Sequence, residues 1–164
     1  MEDLIMKHAV VFYSRDGSTK VFAQAIANKF DADVYELKEV TPIKGFMAAA
    51  WGAVTGKKSE LINDFAKETA GYDKIYVGTP VWGGKAVPAV NMFFDKAQIE
   101  GKQIVFLTVQ GGKTDGRPIG GANRMVKDIE AKGAKTVSAV SFTGGSKKKP
   151  ASKQSANEQV KARL

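Results

Sequence analysis

Apolar and polar residues follow one another in blocks along this chain, and five of the apolar blocks have the length and composition of β-strands. They are His8 to Tyr13, Asp33 to Leu37, Lys74 to Thr79, Gln103 to Val109 and Thr136 to Phe142. The first, third and fourth are continuous apolar runs, which are typical of central parallel strands covered on both faces. The second and fifth mix apolar and polar residues, as strands at the edges of a sheet often do.

The segments between these strands place apolar residues at helical spacing. The apolar helix faces consist of Phe22, Ala25, Ile26 and Phe30; of Val90, Phe93, Phe94 and Ala97; of Met125, Val126 and Ile129; and of Ala156, Val160 and Leu164. Gly133 is placed to cap the third of these helices. This alternation predicts an α/β fold, a single domain over residues 1–164 with a doubly wound sheet of five parallel strands and helices on both faces.

Two connections are longer or more basic than the alternation requires. In the connection from Lys38 to Tyr72, residues 43–51 have a helical pattern. We favour a helix that covers the sheet, while the lysines nearby leave open a helix for a membrane surface or a partner. The stretch from Gly144 to Lys153 is a polar, basic loop before the last helix.

Composition excludes several kinds of site. The chain has no cysteine and a single histidine, His8, so disulfides, thiolate nucleophiles and sites with several cysteine or histidine metal ligands are excluded. The N-terminus does not have the pattern of a signal peptide, and no apolar run is long enough to span a bilayer, so we expect a cytoplasmic protein. Separately, we expect a monomer or weak dimer. A net charge of +8 favours an anionic partner or ligand.

Ser14 to Thr19 directly follow the first predicted strand and precede the first helix. Three hydroxyl side chains, one glycine and the N-terminus of a helix offer hydrogen-bond donors and a positive dipole end, which is the chemistry of a phosphate site. The alternative is a simple helix cap by Asp16 or Ser18. A cap explains one residue of this cluster, so we favour a phosphate site.

The loops after the third and fourth strands have the composition of a ligand site. In an open parallel sheet, ligands bind beyond the carboxyl ends of the strands. Trp82 lies among glycines after the third strand, where we expect a planar ring to stack on it rather than core packing, with partial burial under a neighbouring loop as the alternative. The glycine-rich loop that starts at Gln110 would suit a ligand, and would equally suit a long surface loop.

Other nucleotide motifs do not match. Gly112-Lys113-Thr114 resembles the end of a Walker A loop, but Leu107 stands where that motif needs glycine. No GxGxxG follows the first strand. A receiver domain would need an aspartate at the end of the third strand, where this chain has Thr79.

The two loops together resemble those of flavodoxins, whose phosphate loop has the pattern hydroxyl, any residue, hydroxyl, glycine, any residue, threonine. Ser14, Gly17 and Thr19 match it, and residues 78–83 resemble the loop that meets the isoalloxazine ring. The resemblance covers nearly the whole chain. It implies a flavodoxin-like fold and FMN, held without a covalent bond. The phosphate would be bound by Ser14, Arg15, Asp16, Gly17, Ser18 and Thr19. The ring would be flanked by Thr79, Pro80, Val81, Trp82 and Gly83 and closed off by Gln110, Gly111 and Gly112.

This chain departs from the family pattern in three ways. Asp16 stands where many members have a hydroxyl, the loop after the fourth strand lacks the tyrosine that commonly covers the second ring face, and the chain is basic where flavodoxin carriers are usually acidic. The resemblance implies an electron-transfer protein that exchanges electrons with redox partner proteins, an acidic partner being the best match to the charge. The first alternative is an FMN-dependent oxidoreductase acting on a quinone or another small substrate. The second is a flavin-free module that binds nucleic acid through its lysines, which we disfavour because those lysines lack interleaved aromatic residues.

Overall fold

The chain forms a five-stranded parallel sheet with helices packed on both faces. The computed structural model describes residues 5–45, 47–48, 51, 55, 57–82, 84–118, 120–146 and 148–164. The elements are β1 (His8–Phe12), α1 (Ser18–Phe30), β2 (Asp33–Glu36), α2 (Ala66–Thr69), β3 (Lys74–Pro80), α3 (Pro88–Lys96), β4 (Gln103–Gln110), α4 (Gly120–Ala131), β5 (Thr136–Thr143) and α5 (Lys153–Arg163). Every predicted strand is present, with its ends within one residue of the prediction.

The strand order in the sheet is β2-β1-β3-β4-β5, and all neighbouring strands are parallel. The two mixed strands, β2 and β5, are the edges, which confirms that part of the prediction. The register aligns Phe12 of β1 with Gly78 of β3, so these two strands end next to each other.

Two apolar clusters cover the two faces of the sheet. On one face, α1 and α5 contribute residues such as Phe22, Ile26 and Val160. On the other face, α3 and α4 contribute residues such as Phe93 and Ile129. Burying apolar surface on both faces is what requires β1, β3 and β4 to be continuously apolar. The predicted cap also forms, because Gly133 has φ +89° and its N–H donates to the carbonyl of Glu130.

The long connection between β2 and β3 pairs its own two ends. Glu39 and Leu61 form an antiparallel bridge. The helix predicted over residues 43–51 falls partly outside the described residues. Met47 and Trp51 have helical backbone but are 81% and 71% exposed. They therefore do not cover the sheet, contrary to the interpretation that we favour from the sequence. None of the helices in the described ranges has the length and apolar character needed to cross a bilayer.

Candidate functional site

The carboxyl ends of β1 and β3 lie where the strand order reverses. The chain leaves β1 for β2 on one side and reaches β3 on the other side. A crevice opens at such a point because the two connections run in opposite directions. A Cβ added at Gly78 would lie 3.2 Å from Thr19 Cγ2, so the start of α1 packs directly on the end of β3. The loops after β1, β3 and β4 thus lie together at the carboxyl ends of the parallel strands, as the sequence predicts.

The loop after β1 is organised by two of its own side chains. Ser14 Oγ accepts hydrogen bonds from the N–H groups of Gly17 (3.1 Å) and Lys20 (3.3 Å). Asp16 is exposed, and its Oδ1 accepts from the N–H of Ser18 at 3.0 Å. Asp16 thus makes a local turn around Gly17, which is the N-cap residue of α1 and has no side-chain cap of its own. These bonds account for Ser14 and Asp16 but leave the hydroxyl of Ser18 unexplained.

The remaining features of this loop fit a small anion such as a phosphate group. The Oγ of Ser18 is buried and has no hydrogen-bond partner among the residues that the structure describes. Leaving such a group unpaired costs free energy, and an anionic oxygen at the start of a helix would accept its hydrogen bond. Gly17 has φ +94°, and a Cβ there would have nothing within 4 Å, so space is open beside the loop.

The loop after β3 differs from the expectation for Trp82. The side chain of Trp82 is only 9% exposed and belongs to the apolar cluster on the α3 and α4 face, so the expectation that it lies outside the core is wrong. Its ring meets Tyr13 edge-on at 5.8 Å. Mutual backbone hydrogen bonds between Trp82 and Lys85 fold the loop back on itself and turn the indole inward.

Thr79 also serves the fold of this loop. Its side chain is fully buried, its hydroxyl donates to the carbonyl of Pro80 at 2.8 Å, and the same oxygen accepts from the N–H of Val87. Pro80 and Val81 are half-buried and remain at the edge of the sheet. Gly83 lies outside the described residues.

A charged residue lies over the buried indole. The guanidinium carbon of Arg15 is 5.4 Å from the centroid of the Trp82 ring, within the range of a cation–π contact. Burial, together with the hydrogen bonding and negative charge of Glu39, raises the pKa of Tyr13 far above its ordinary value, although Arg15 acts in the opposite direction. Tyr13 thus stays protonated and neutral at physiological pH, which makes it a packing partner of Trp82 rather than a proton acceptor.

The loop after β4 begins with a side chain that supports its own backbone. The side-chain amide of Gln110 donates to the carbonyls of Gly112 (3.3 Å) and Lys113 (3.2 Å). Gly111 and Gly112 are exposed. The structure therefore places all three predicted residues at the carboxyl end of β4, with the Gln110 amide occupied inside its loop.

Gly144, just after β5, borders the site and was not predicted to belong to it. A Cβ there would lie 2.4 Å from Val109 Cγ1 and 3.3 Å from Ser18 Cβ. Its N–H donates to the carbonyl of Gln110 at 2.7 Å. The available signal was a pair of glycines at the carboxyl end of the fifth predicted strand, which the sequence analysis treats only as part of a basic loop.

Comparison with known proteins places this architecture in a family. A protein of Bacteroides eggerthii described as a flavoprotein has a similar structure, with a TM-score of 0.71 and 17% identity over 95% of this chain and 96% of that chain. A flavoprotein of Lactobacillus acidophilus, solved in complex with FMN, has a TM-score of 0.62 and 18% identity over 82% of this chain and 93% of that one. Oxidised flavodoxin 1 of Bacillus cereus has a TM-score of 0.53 and 16% identity over 95% and 93% of the two chains.

These identities are low, so the structural matches show the shared fold and not a shared ligand. No curated protein matches the sequence at a significant level. A family model described as Flavodoxin matches residues 7–148, which is most of the chain. With the strand order and the loop after β1 described above, this match shows that the chain belongs to the flavodoxin family.

Proposed function

We propose that this protein binds FMN without a covalent bond and passes electrons between redox partner proteins. The observation that carries the proposal is the loop after β1, where the buried, unpaired Ser18 hydroxyl and the open space at Gly17 lie at the start of a 13-residue helix. This arrangement suits a phosphate group, and it stands at the strand reversal where ligands bind in such sheets. Membership in the flavodoxin family makes FMN the phosphate compound of choice.

The chain's own residues would divide the work between phosphate and ring. The phosphate would accept hydrogen bonds from the hydroxyl of Ser18 and from backbone N–H groups between Arg15 and Thr19. Those of Gly17 and Ser18 are now held by Ser14 and Asp16, so binding would exchange intraloop bonds for bonds to the phosphate. This exchange makes the loop's own side chains competitors of the ligand.

The ring would lie between the loops that follow β3 and β4. Pro80 and Val81 are partly accessible there. Trp82 is buried beneath the loop and would reach the ring only if the Trp82–Lys85 turn opens. Gln110, Gly111 and Gly112 would form the other wall. When bound, FMN supplies the redox chemistry by accepting and returning electrons, and the protein supplies binding and electrostatics. No side chain is assigned a role as a catalytic acid or base.

A titration of the apoprotein with FMN tests the binding proposal. The chain contains two tryptophans, so Trp51→Phe leaves Trp82 as the single emitter. Because Trp51 is exposed and Trp82 is buried near the proposed ring site, the variant should bind FMN like the wild type, and FMN should quench the Trp82 emission. Equal quenching by riboflavin at saturation would place the ring, rather than the phosphate, near Trp82. Absence of FMN binding by both proteins would overturn the proposed function.

The second candidate function, an FMN-dependent oxidoreductase, is favoured by one observation. The loop after β4 presents two exposed glycines and no aromatic side chain at Gln110–Gly112, which would leave one face of the ring open to a quinone or another small planar substrate. Turnover of NAD(P)H or a quinone by the FMN-loaded protein alone would support this function. Electron transfer that requires an added partner reductase would support the carrier.

A further inference from the structure

The last residue of the C-terminal helix, Arg163, is hydrogen-bonded to β5, to the loop after β4 and to its own helix. Its Nη1 donates to the carbonyl of Ser141 in β5 (2.8 Å) and to Oε1 of Gln159 (3.0 Å), and its Nη2 donates to the carbonyl of Thr114 (2.9 Å). The guanidinium carbon also lies 5.8 Å from the centroid of the Phe142 ring. A planar guanidinium with a fork of donors can satisfy these carbonyls at once, whereas an ammonium group cannot match the same fork.

The loop after β4 is the segment that these bonds restrain. Thr114 is held at both backbone groups, because its N–H donates to Oγ1 of Thr143 at 3.1 Å while its carbonyl accepts from Arg163. Thr143 is in turn fixed by Gln159, which accepts from its N–H (2.9 Å) and donates to its carbonyl (3.0 Å). The C-terminal helix thus secures the loop through two connected routes.

Two residues after Thr114, at Gly116, a packing contact with Arg163 adds to these hydrogen bonds. Gly116 has φ +97°, and a Cβ there would lie 3.0 Å from Arg163 Cδ, so the aliphatic part of the arginine lies against the loop backbone. The carbonyl of Gly116 accepts from the N–H of Ser141 at 3.0 Å. The far part of the loop therefore runs along β5 under Arg163, and the near part, Gln110 to Lys113, is closed by the Gln110 amide.

We propose that Arg163 is a positioning residue for the flavin site: it fixes the far end of the loop after β4 so that Gln110–Gly112 are held where they contact the ring. This inference rests on the proposed function. Arg163 itself does not touch the cofactor. Its effect reaches the ring through Thr114 and the loop backbone, so it should act on binding of the isoalloxazine ring and leave recognition of the phosphate unchanged.

The first test requires no flavin. Trypsin should cut the apoprotein after Lys113 only when the loop opens. Arg117 is followed by Pro118 and resists cleavage, so Lys113 is the trypsin site that reports on this loop. In Arg163→Met, which keeps the aliphatic contact with Gly116 but loses the donors, cleavage after Lys113 should be about tenfold faster. Cleavage after Lys29 in α1 reports global unfolding and should not change. Lys161→Met removes the same charge from the same helix turn and should behave like the wild type.

The second test measures flavin affinity. In Arg163→Met, the dissociation constants of FMN and riboflavin should rise by the same factor, about tenfold, because both ligands present the ring. The visible circular dichroism of the bound flavin should change as well. Arg163→Lys should recover part of the affinity, and Thr143→Val, which removes the other anchor of Thr114, should reproduce the loss if Arg163→Met fails to fold.

The outcomes separate the inference from the proposed function. Faster cleavage after Lys113 with unchanged flavin affinity would refute the positioning role, as would unchanged cleavage and affinity together. A loss of FMN affinity without a loss of riboflavin affinity would assign Arg163 to the phosphate and also overturn the inference. A wild-type protein that binds no flavin would end the proposed function and the positioning role with it, while the cleavage rate would still report whether Arg163 holds the loop.

Discussion

Gly17 has a backbone φ of +94° and open space beside it, so a larger residue at this position would both fill that space and strain the backbone. Gly17→Val should raise the dissociation constant of FMN by about a hundredfold or more, because the side chain would occupy the space assigned to the phosphate and a β-branched residue strains the left-handed backbone. Riboflavin, which lacks the phosphate, should lose much less. Fluorescence titration with both ligands measures the difference.

The matched control for this substitution is Gly101→Val. Gly101 also has a positive φ, +74°, with nothing within 4 Å of an added Cβ. It lies just before β4, at the amino ends of the strands and away from the loops of the proposed site. It should bear a similar backbone strain, on the order of 1–2 kcal/mol, without affecting FMN. Equal losses of FMN affinity in both variants would show that strain, and not occupation of the site, explains the effect.

Asp16 is the residue of the loop whose charge opposes the proposed ligand. Asp16→Asn keeps an oxygen that can accept from the N–H of Ser18 and removes the negative charge. FMN should therefore bind about threefold to tenfold more tightly at low salt, and the gain should shrink as salt screens the repulsion. Isothermal titration at two ionic strengths measures both effects.

Asp31→Asn provides the control, because Asp31 is an exposed acid at the other end of α1. It should leave FMN affinity unchanged. If Asp16→Asn weakened binding instead, the carboxylate would be a contributor to the site rather than a competitor, and the assignment of the phosphate to this loop would need revision.

At the same scale, the position of the loop after β1 could be predicted from the sequence, and the burial of the side chains in the loop after β3 could not. The hydroxyls and Gly17 lie close together in the chain and adjoin a strand, so local pattern is enough to place that loop. The burial of Trp82 depends on Tyr13, which lies in the loop after β1, and on the turn that pairs Trp82 with Lys85. The contact with Tyr13 joins residues far apart in sequence, and no local pattern specifies it.

At the scale of elements, the three central strands β1, β3 and β4 could be predicted to within one residue because burial on both faces imposes continuous apolar runs with abrupt polar ends. The connections were less predictable. The loop from Gly111 to Pro118 runs partly along β5, where Arg163 at the C-terminal end of α5 is hydrogen-bonded to both the loop and the strand. Likewise, the pairing of Glu39 with Leu61 joins the two ends of the connection between β2 and β3, and no local pattern specifies that contact.

The junction between β5 and the loop after β1 depends on close approach at Gly144. Gly144→Ala would bring a methyl group within 2.4 Å of Val109 Cγ1, a branched side chain of the sheet that has little room to move. Overpacking of this kind should lower the free energy of unfolding by about 1–3 kcal/mol. Because the same methyl group would press on Ser18, FMN affinity should fall together with stability. Chemical denaturation and FMN titration measure the two effects.

Gly112→Ala is the control for this element-scale prediction. A Cβ at Gly112 has its nearest neighbour, Gln110 Nε2, at 4.0 Å, and the residue is exposed. It should leave the free energy of unfolding nearly unchanged. Stability of Gly144→Ala equal to that of Gly112→Ala would mean that Gly144 is less closely packed against Val109 of β4 than the structure shows.

At the scale of the whole molecule, the alternation of strands and helices determined the fold class, whereas the charge of +8 did not determine a partner. Alternation constrains topology because each helix must cross the sheet to reach the next parallel strand. Net charge is a sum over the surface and is compatible with any anionic partner. Near the loop after β1 the charges have both signs, with Asp16 in the loop and Arg15 over Trp82, so the total does not describe this part of the surface.

The stability of the whole molecule should depend on pH through its single histidine. His8, at the start of β1, has a lowered pKa because of burial first and then the positive charge of Lys74, with Asp73 acting in the opposite direction. A lowered pKa means that the unfolded chain binds the proton more readily, so stability is greatest above the ordinary value of 6.5 and falls as the pH drops below it. His8→Gln should reduce the decline of the thermal midpoint between about pH 7 and pH 5. Differential scanning calorimetry of both proteins measures the thermal midpoint. Identical declines of the midpoint in the two proteins would show that carboxylates alone cause the acid sensitivity.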